Sequence, residues 1–83
     1  MHKPQPFVEV DGAKIREKRQ DLGLEAQEVA DAVRISRRYL NYIENGYRRR
    51  LSSSKYGRLR RALKASKTEL LPDPPGSDHP PKE

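Results

Sequence analysis

The sequence predicts an all-α fold, a compact bundle of about five short helices, and three observations carry that prediction. Apolar residues between positions 11 and 71 recur at the spacing of helices that turn one face to a core. Capping residues alternate with stops along the same stretch: Asp11 then Gly23, Ser36 then Gly46, Ser66 then Pro72. The chain has 83 residues and is 33% hydrophobic, enough for one small domain with an efficiently built core.

Taken in order, residues 1–10 form an N-terminal arm, flexible or extended, in which Phe7-Val8-Glu9-Val10 alternates and can lay an apolar side chain on the domain. Asp11 caps a first helix running to about Leu22, with Ile15, Arg19 and Leu22 on one side and Gly23 as its stop. A second helix spans about Glu25 to Val33. Its apolar stripe is Val29, Ala30 and Val33, and Glu25 and Glu28 near its start complement the positive end of the helix dipole. Only Arg34 and Ile35 separate it from Ser36, the N-cap of a third helix that ends at Gly46. Leu40 and Ile43, with Ile35 just before the cap, face the core; Arg37, Arg38, Asn41 and Tyr42 take the outer face. Two helices joined so tightly, the second with a polar outer face, have the outline of a helix-turn-helix. After the loop at Tyr47–Leu51, Ser52, Ser53 and Ser54 offer caps for a fourth helix with Tyr56, Leu59, Ala62 and Leu63 inside. Ser66-Lys67-Thr68-Glu69 has the capping-box pattern of a short fifth helix, with Leu70 and Leu71 closing the core. Residues 72–83 hold five prolines and no apolar cluster, the composition of a disordered tail.

Charge is placed unevenly. From Arg34 to Arg61 there are ten basic residues, nine of them arginine, against the single acid Glu44, although the whole chain is only +6. A basic half of this kind points to a polyanion, nucleic acid ahead of a membrane surface. Arginine brings a planar fork of donors that matches phosphate and guanine. There is no cysteine, which excludes disulfides and thiolate metal sites. Apolar runs are far too short to span a membrane, and no apolar stretch near the N-terminus fits a signal peptide; a cytoplasmic protein is expected. No catalytic constellation, glycine-rich phosphate loop or metal-ligand cluster is legible, so neither an enzyme nor a cofactor or metal is expected.

The residues I-R-E-K-R-Q-D-L-G-L at 15–24, E-V-A at 28–30, I-S-R-R-Y-L-N-Y-I-E-N-G at 35–46 and R-A-L-K-A-S-K-T-E-L-L at 61–71 carry a resemblance to the phage-repressor and Cro-like helix-turn-helix proteins, the Xre family. The resemblance covers roughly residues 11–71. Its most specific parts are the G-L before the second helix, the V-A within it and the E-N-G that closes the third. It implies a lambda-repressor-like fold and a structural ion pair between Arg19 and Glu44. The chain departs from the family pattern at Arg34, where glycine is usual, and at Glu25, where Ser or Thr is common. It also has Ala26 where a phosphate-binding glutamine is common, with Gln27 one place later.

The expected function is that of a sequence-specific transcriptional regulator that binds double-stranded DNA, with the third helix in the major groove. Arg37 and Arg38 are the expected readers of guanine, Asn41 of adenine, and Tyr42 of a thymine methyl. Gln27, Ser36, Asn45, Arg48, Arg49, Arg50 and Lys55 are the expected phosphate contacts. A homodimer, formed on DNA or through the fifth helix, is the expected assembly on inverted half-sites about 34–36 Å apart. The alternative is a protein-interaction module, such as the antitoxin of a toxin–antitoxin pair or an adaptor with a protein partner. RNA binding ranks lowest, because Tyr39, Tyr42, Tyr47 and Tyr56 are spread over different faces.

Overall fold

Four helices and a two-stranded sheet surround a single core in the computed structural model, which describes residues 7–73. The expectations for residues 1–6 and 74–83 lie outside the described residues. The elements are β1 (Phe7–Glu9), α1 (Gly12–Asp21), α2 (Ala26–Val33), α3 (Arg37–Glu44), β2 (Arg50–Ser52) and α4 (Ser53–Leu63). The core is built from Val10, Ile15, Val29, Ala30, Val33, Leu40, Ile43, Leu51, Tyr56, Leu59, Leu63 and Leu70, one or more residues from every helix.

The caps act as their chemistry dictates. Asp11 Oδ1 accepts from the Ala13 N–H at 3.0 Å, Ser36 Oγ from Tyr39 at 3.0 Å and Ser52 Oγ from Lys55 at 3.2 Å. At the start of α2 the Glu28 carboxylate reaches back to the Glu25 N–H at 2.8 Å, one half of a capping box. Arg34, the turn residue between α2 and α3, is left-handed, with φ 67°. The Ile35 N–H then donates to Ala30 O at 3.0 Å, which closes the end of α2 and sets the direction of α3. Gly12 is required by a close approach: a Cβ there would lie 2.0 Å from Ile43 O and 2.8 Å from Glu44 O. The first turn of α1 therefore rests directly on the last turn of α3.

Two expectations are corrected. The fold is mostly helical but not all-α: β1 and β2 pair antiparallel, with Val8 opposite Leu51. Leu51 is buried, and anchoring it draws the loop after α3 into a ladder that the Val10 N–H extends by donating to Arg49 O at 2.8 Å. A fifth helix is absent among the described residues. Glu69 Oε1 accepts from the Ser66 N–H at 3.0 Å as a capping box would, but only four-residue turns follow, Glu69 N–H to Ser66 O and Leu71 N–H to Thr68 O. This segment is set by tertiary contacts instead. Leu70 is fully buried, its carbonyl accepts from the Asp11 N–H, and Lys18 Nζ lies 2.7 Å from Glu69 Oε2. The Lys18 ammonium, with the Ser66 N–H, holds the Glu69 carboxyl below the usual glutamate range. The first helix ends where expected: α1 stops at Asp21, and Leu22, its C-cap, is exposed.

Candidate nucleic-acid interface

Helix α3 owes its outer face to its inner one. Leu40 and Ile43 are fully buried, so the positions on the opposite side of this short helix are turned to solvent. Arg37, Arg38, Asn41 and Tyr42 are exposed and line one open cleft together with Arg16, Arg19, Ala26 and Glu44. Among the described residues neither Arg37 nor Arg38 has an ion-pair or hydrogen-bond partner. Both stand in the first turn of α3, next to the Ser36 cap.

The floor of the cleft is the ion pair. Arg19 Nε lies 2.7 Å and its Nη2 3.0 Å from the two Glu44 oxygens, a bidentate fork, while Nη1 donates to Leu24 O at 3.1 Å. Glu44 is 7% exposed. The Glu44 hydrogen bonds push the Arg19 guanidinium above its already high pKa, against the opposing effect of burial. The bridge thus ties α1 to the C-terminal end of α3 and closes over the turn before α2.

Arg16 joins the site from outside the sequence expectations. Its Nε lies 3.6 Å from Glu44 Oε1, and its Nη2 donates to Asn45 Oδ1 at 2.6 Å. The Asn45 amide in turn donates to Asn41 O at 2.9 Å and to Asn41 Oδ1 at 3.0 Å. The only signal in the sequence was that Arg16 precedes Arg19 by one helical turn and so shares its side of α1.

The other predicted residues fall around this centre. Ser36 Oγ is engaged as the cap acceptor, and its hydroxyl proton remains available to a ligand. Gln27 is exposed on α2 and donates to Asp31 Oδ1 at 2.9 Å. Arg48 does not stand clear of the domain: its guanidinium stacks on Tyr39 with Cζ 5.4 Å from the ring centroid. Tyr47 is the most exposed large apolar residue described, and it meets Tyr42 edge-on at 6.1 Å. Arg49 and Arg50 are exposed, Arg50 on β2 opposite Glu9 rather than in a free loop. Lys55 lies in the first turn of α4, half-buried. Among the described residues no cluster of His, Cys, Asp or Glu could hold a metal ion. No described helix is long and apolar enough to cross a membrane.

Comparison with known proteins decides the family. The family model described as Helix-turn-helix matches residues 15–70, from within α1 to Leu70. The chain belongs to the Xre-like helix-turn-helix family. Among solved structures it is similar to the restriction-modification controller protein C.AhdI from Aeromonas hydrophila, with 30% identity and a TM-score of 0.66 over 72% of this chain and 89% of that one. It is also similar to the clp gene regulator ClgR from Corynebacterium glutamicum, with 38% identity and a TM-score of 0.60 over 66% of this chain and 70% of that one. No curated protein matches the chain at a significant level. In this family member α2 and α3 are the helix-turn-helix, and Arg34 supplies the turn without glycine.

Proposed function

We propose that the protein is a sequence-specific, double-stranded DNA-binding transcriptional regulator that lays α3 in the major groove. One observation carries this reading: Arg37, Arg38, Asn41 and Tyr42, all exposed, meet on a single cleft at the outer face of the second helix of a helix-turn-helix. Helices of this class place their N-terminal residues against base edges. Arg37 and Arg38 are therefore assigned to bases, with guanine as the matching partner for a guanidinium fork. Arg49, Arg50, Lys55, Ser36 and Gln27 are assigned to phosphates on either side, with Arg48 held ready on Tyr39. Both similar solved structures are named as a regulator and a controller protein, which supports the regulatory role. One such domain spans few base pairs, so two copies on inverted half-sites complete the proposed assembly.

A salt titration separates reading from mere attraction. On duplex selected from a random library, Arg38→Ala should cost about 1–3 kcal/mol and relax preference at one position, with a much smaller loss on scrambled duplex. Arg49→Ala should weaken both duplexes alike and reduce the slope of log K against log salt by about one. An equal, uniform loss from both substitutions would show that α3 does not read bases.

A further inference from the structure

The Arg16–Asn45–Asn41 chain can be read for hydrogen-bond direction as well as distance. Arg16 Nη2, 2.6 Å from Asn45, can only donate, and the Asn41 carbonyl, 2.9 Å from Asn45, can only accept. Between an obligate donor and an obligate acceptor the Asn45 amide has one orientation: oxygen toward Arg16, nitrogen toward Asn41. That nitrogen also lies 3.0 Å from the Asn41 side chain, so the atom of Asn41 that meets it is the amide oxygen. The Asn41 NH2 group is left as the free edge. Both hydrogens of the Asn45 amide are spent inside the protein, which removes it from the phosphate contacts expected of it.

We infer that Arg16 and Asn45 are specificity-determining positioning residues, which lock Asn41 as a hydrogen-bond donor and so make it select a base that presents acceptors over one that presents an amine. The inference rests on the proposed placement of α3 in the major groove. There guanine shows N7 and O6, and thymine shows O4, all acceptors; adenine and cytosine each show an amine. The bidentate asparagine–adenine pair needs the amide oxygen to accept from adenine N6, and here that oxygen is turned toward Asn45, whose amide already donates to it. Asn41 therefore favours guanine or thymine on the strand it faces, the reverse of the preference expected of an unconstrained asparagine. The device works because Arg16 is itself held beside the buried Glu44 carboxylate, on the rigid floor of the cleft.

The test uses the base pair at which Asn41→Ala abolishes preference in the full chain, and four duplexes that differ only there. Wild type should bind guanine or thymine about tenfold more tightly than adenine. Asn45→Ala and Arg16→Ala free the amide to turn, and the ratio should fall toward unity or favour adenine, while preferences at all other positions and the salt slope stay as in wild type. Arg16→Lys, which keeps a donor, should restore most of the ratio. Asn45→Asp still accepts from Arg16 but offers Asn41 only oxygen, so the Asn41 amide should turn over and the preference invert; this variant serves where Asn45→Ala fails to fold. On an Asn41→Ala background none of these changes should alter base preference further. Wild-type preference in Asn45→Asp and Arg16→Ala would overturn the inference alone, and so would a loss shared equally by every position. Absence of any base preference in wild type would overturn the proposed function as well.

Discussion

Glu44 is the acid on which the basic half of the molecule is assembled. It is nearly buried, and it is tolerable there because the Arg19 fork and Arg16 surround it with donors. Removal of one partner leaves the other charge uncompensated in a low-dielectric setting. Glu44→Ala should therefore cost about 3–5 kcal/mol of stability, less to the extent that water enters, and not merely weaken ligand binding. Thermal melts of Glu44→Ala, Arg19→Ala and the double substitution measure the coupling directly. Additive losses would mean that the two side chains stabilise the protein independently.

Helix ends, more than helix interiors, determine how the elements meet. Gly12→Ala puts a methyl group against the backbone of α3, whose carbonyls cannot swing aside as a side chain would, and should cost about 3 kcal/mol. Gly57, inside α4, is the internal control, since nothing lies within 4 Å of a Cβ built there. Gly57→Ala should stabilise by roughly 0.5–1 kcal/mol, the helix propensity difference. Chemical denaturation of the two variants should give shifts of opposite sign. Arg34 tells the same story of backbone before side chain. Its left-handed conformation costs a non-glycine residue about 1–2 kcal/mol, so Arg34→Gly should raise the melting temperature, and calorimetry would show it. Arg34 lies outside the α3 cleft, so the same variant should leave base preference unchanged.

At the scale of the whole molecule, the segment after α4 acts as a lid on the core without being a helix. Leu70 is fully buried and its carbonyl accepts from Asp11, so the end of the domain is sewn to its beginning. Beyond it, Lys14 Nζ reaches Leu71 O at 2.8 Å and Asp73 Oδ1 at 3.0 Å, but that pair is largely exposed and contributes little. Truncation after Leu71 should leave the melting temperature almost unchanged. Truncation after Glu69 removes a buried leucine and should cost about 2–5 kcal/mol, seen as a large drop in melting temperature. Equal stability of the two forms would show that Leu70 does not belong to the core.

Four helices, their caps, the inward faces and the basic outer face of α3 are legible in the amino-acid sequence. Those features depend on residues within a turn or two of one another, and helical periodicity and cap chemistry act over that range. The family resemblance supplied the Arg19–Glu44 pair, and the structure places the two as it implied. What joins distant segments comes from tertiary contacts. β1 finds β2 across more than forty residues, a pairing that neither three-residue strand announces alone. The fifth helix was legible as a capping box, yet Leu70 and Lys18 hold the segment in turns, because burial and an ion pair outweigh the propensity of so few residues. Arg16 could be seen to lie on the side of Arg19, but only the contact of α1 with the end of α3 brings it to Asn45. That contact depends on a glycine too small to separate the two backbones, and through it a residue of α1 controls the amide that α3 presents.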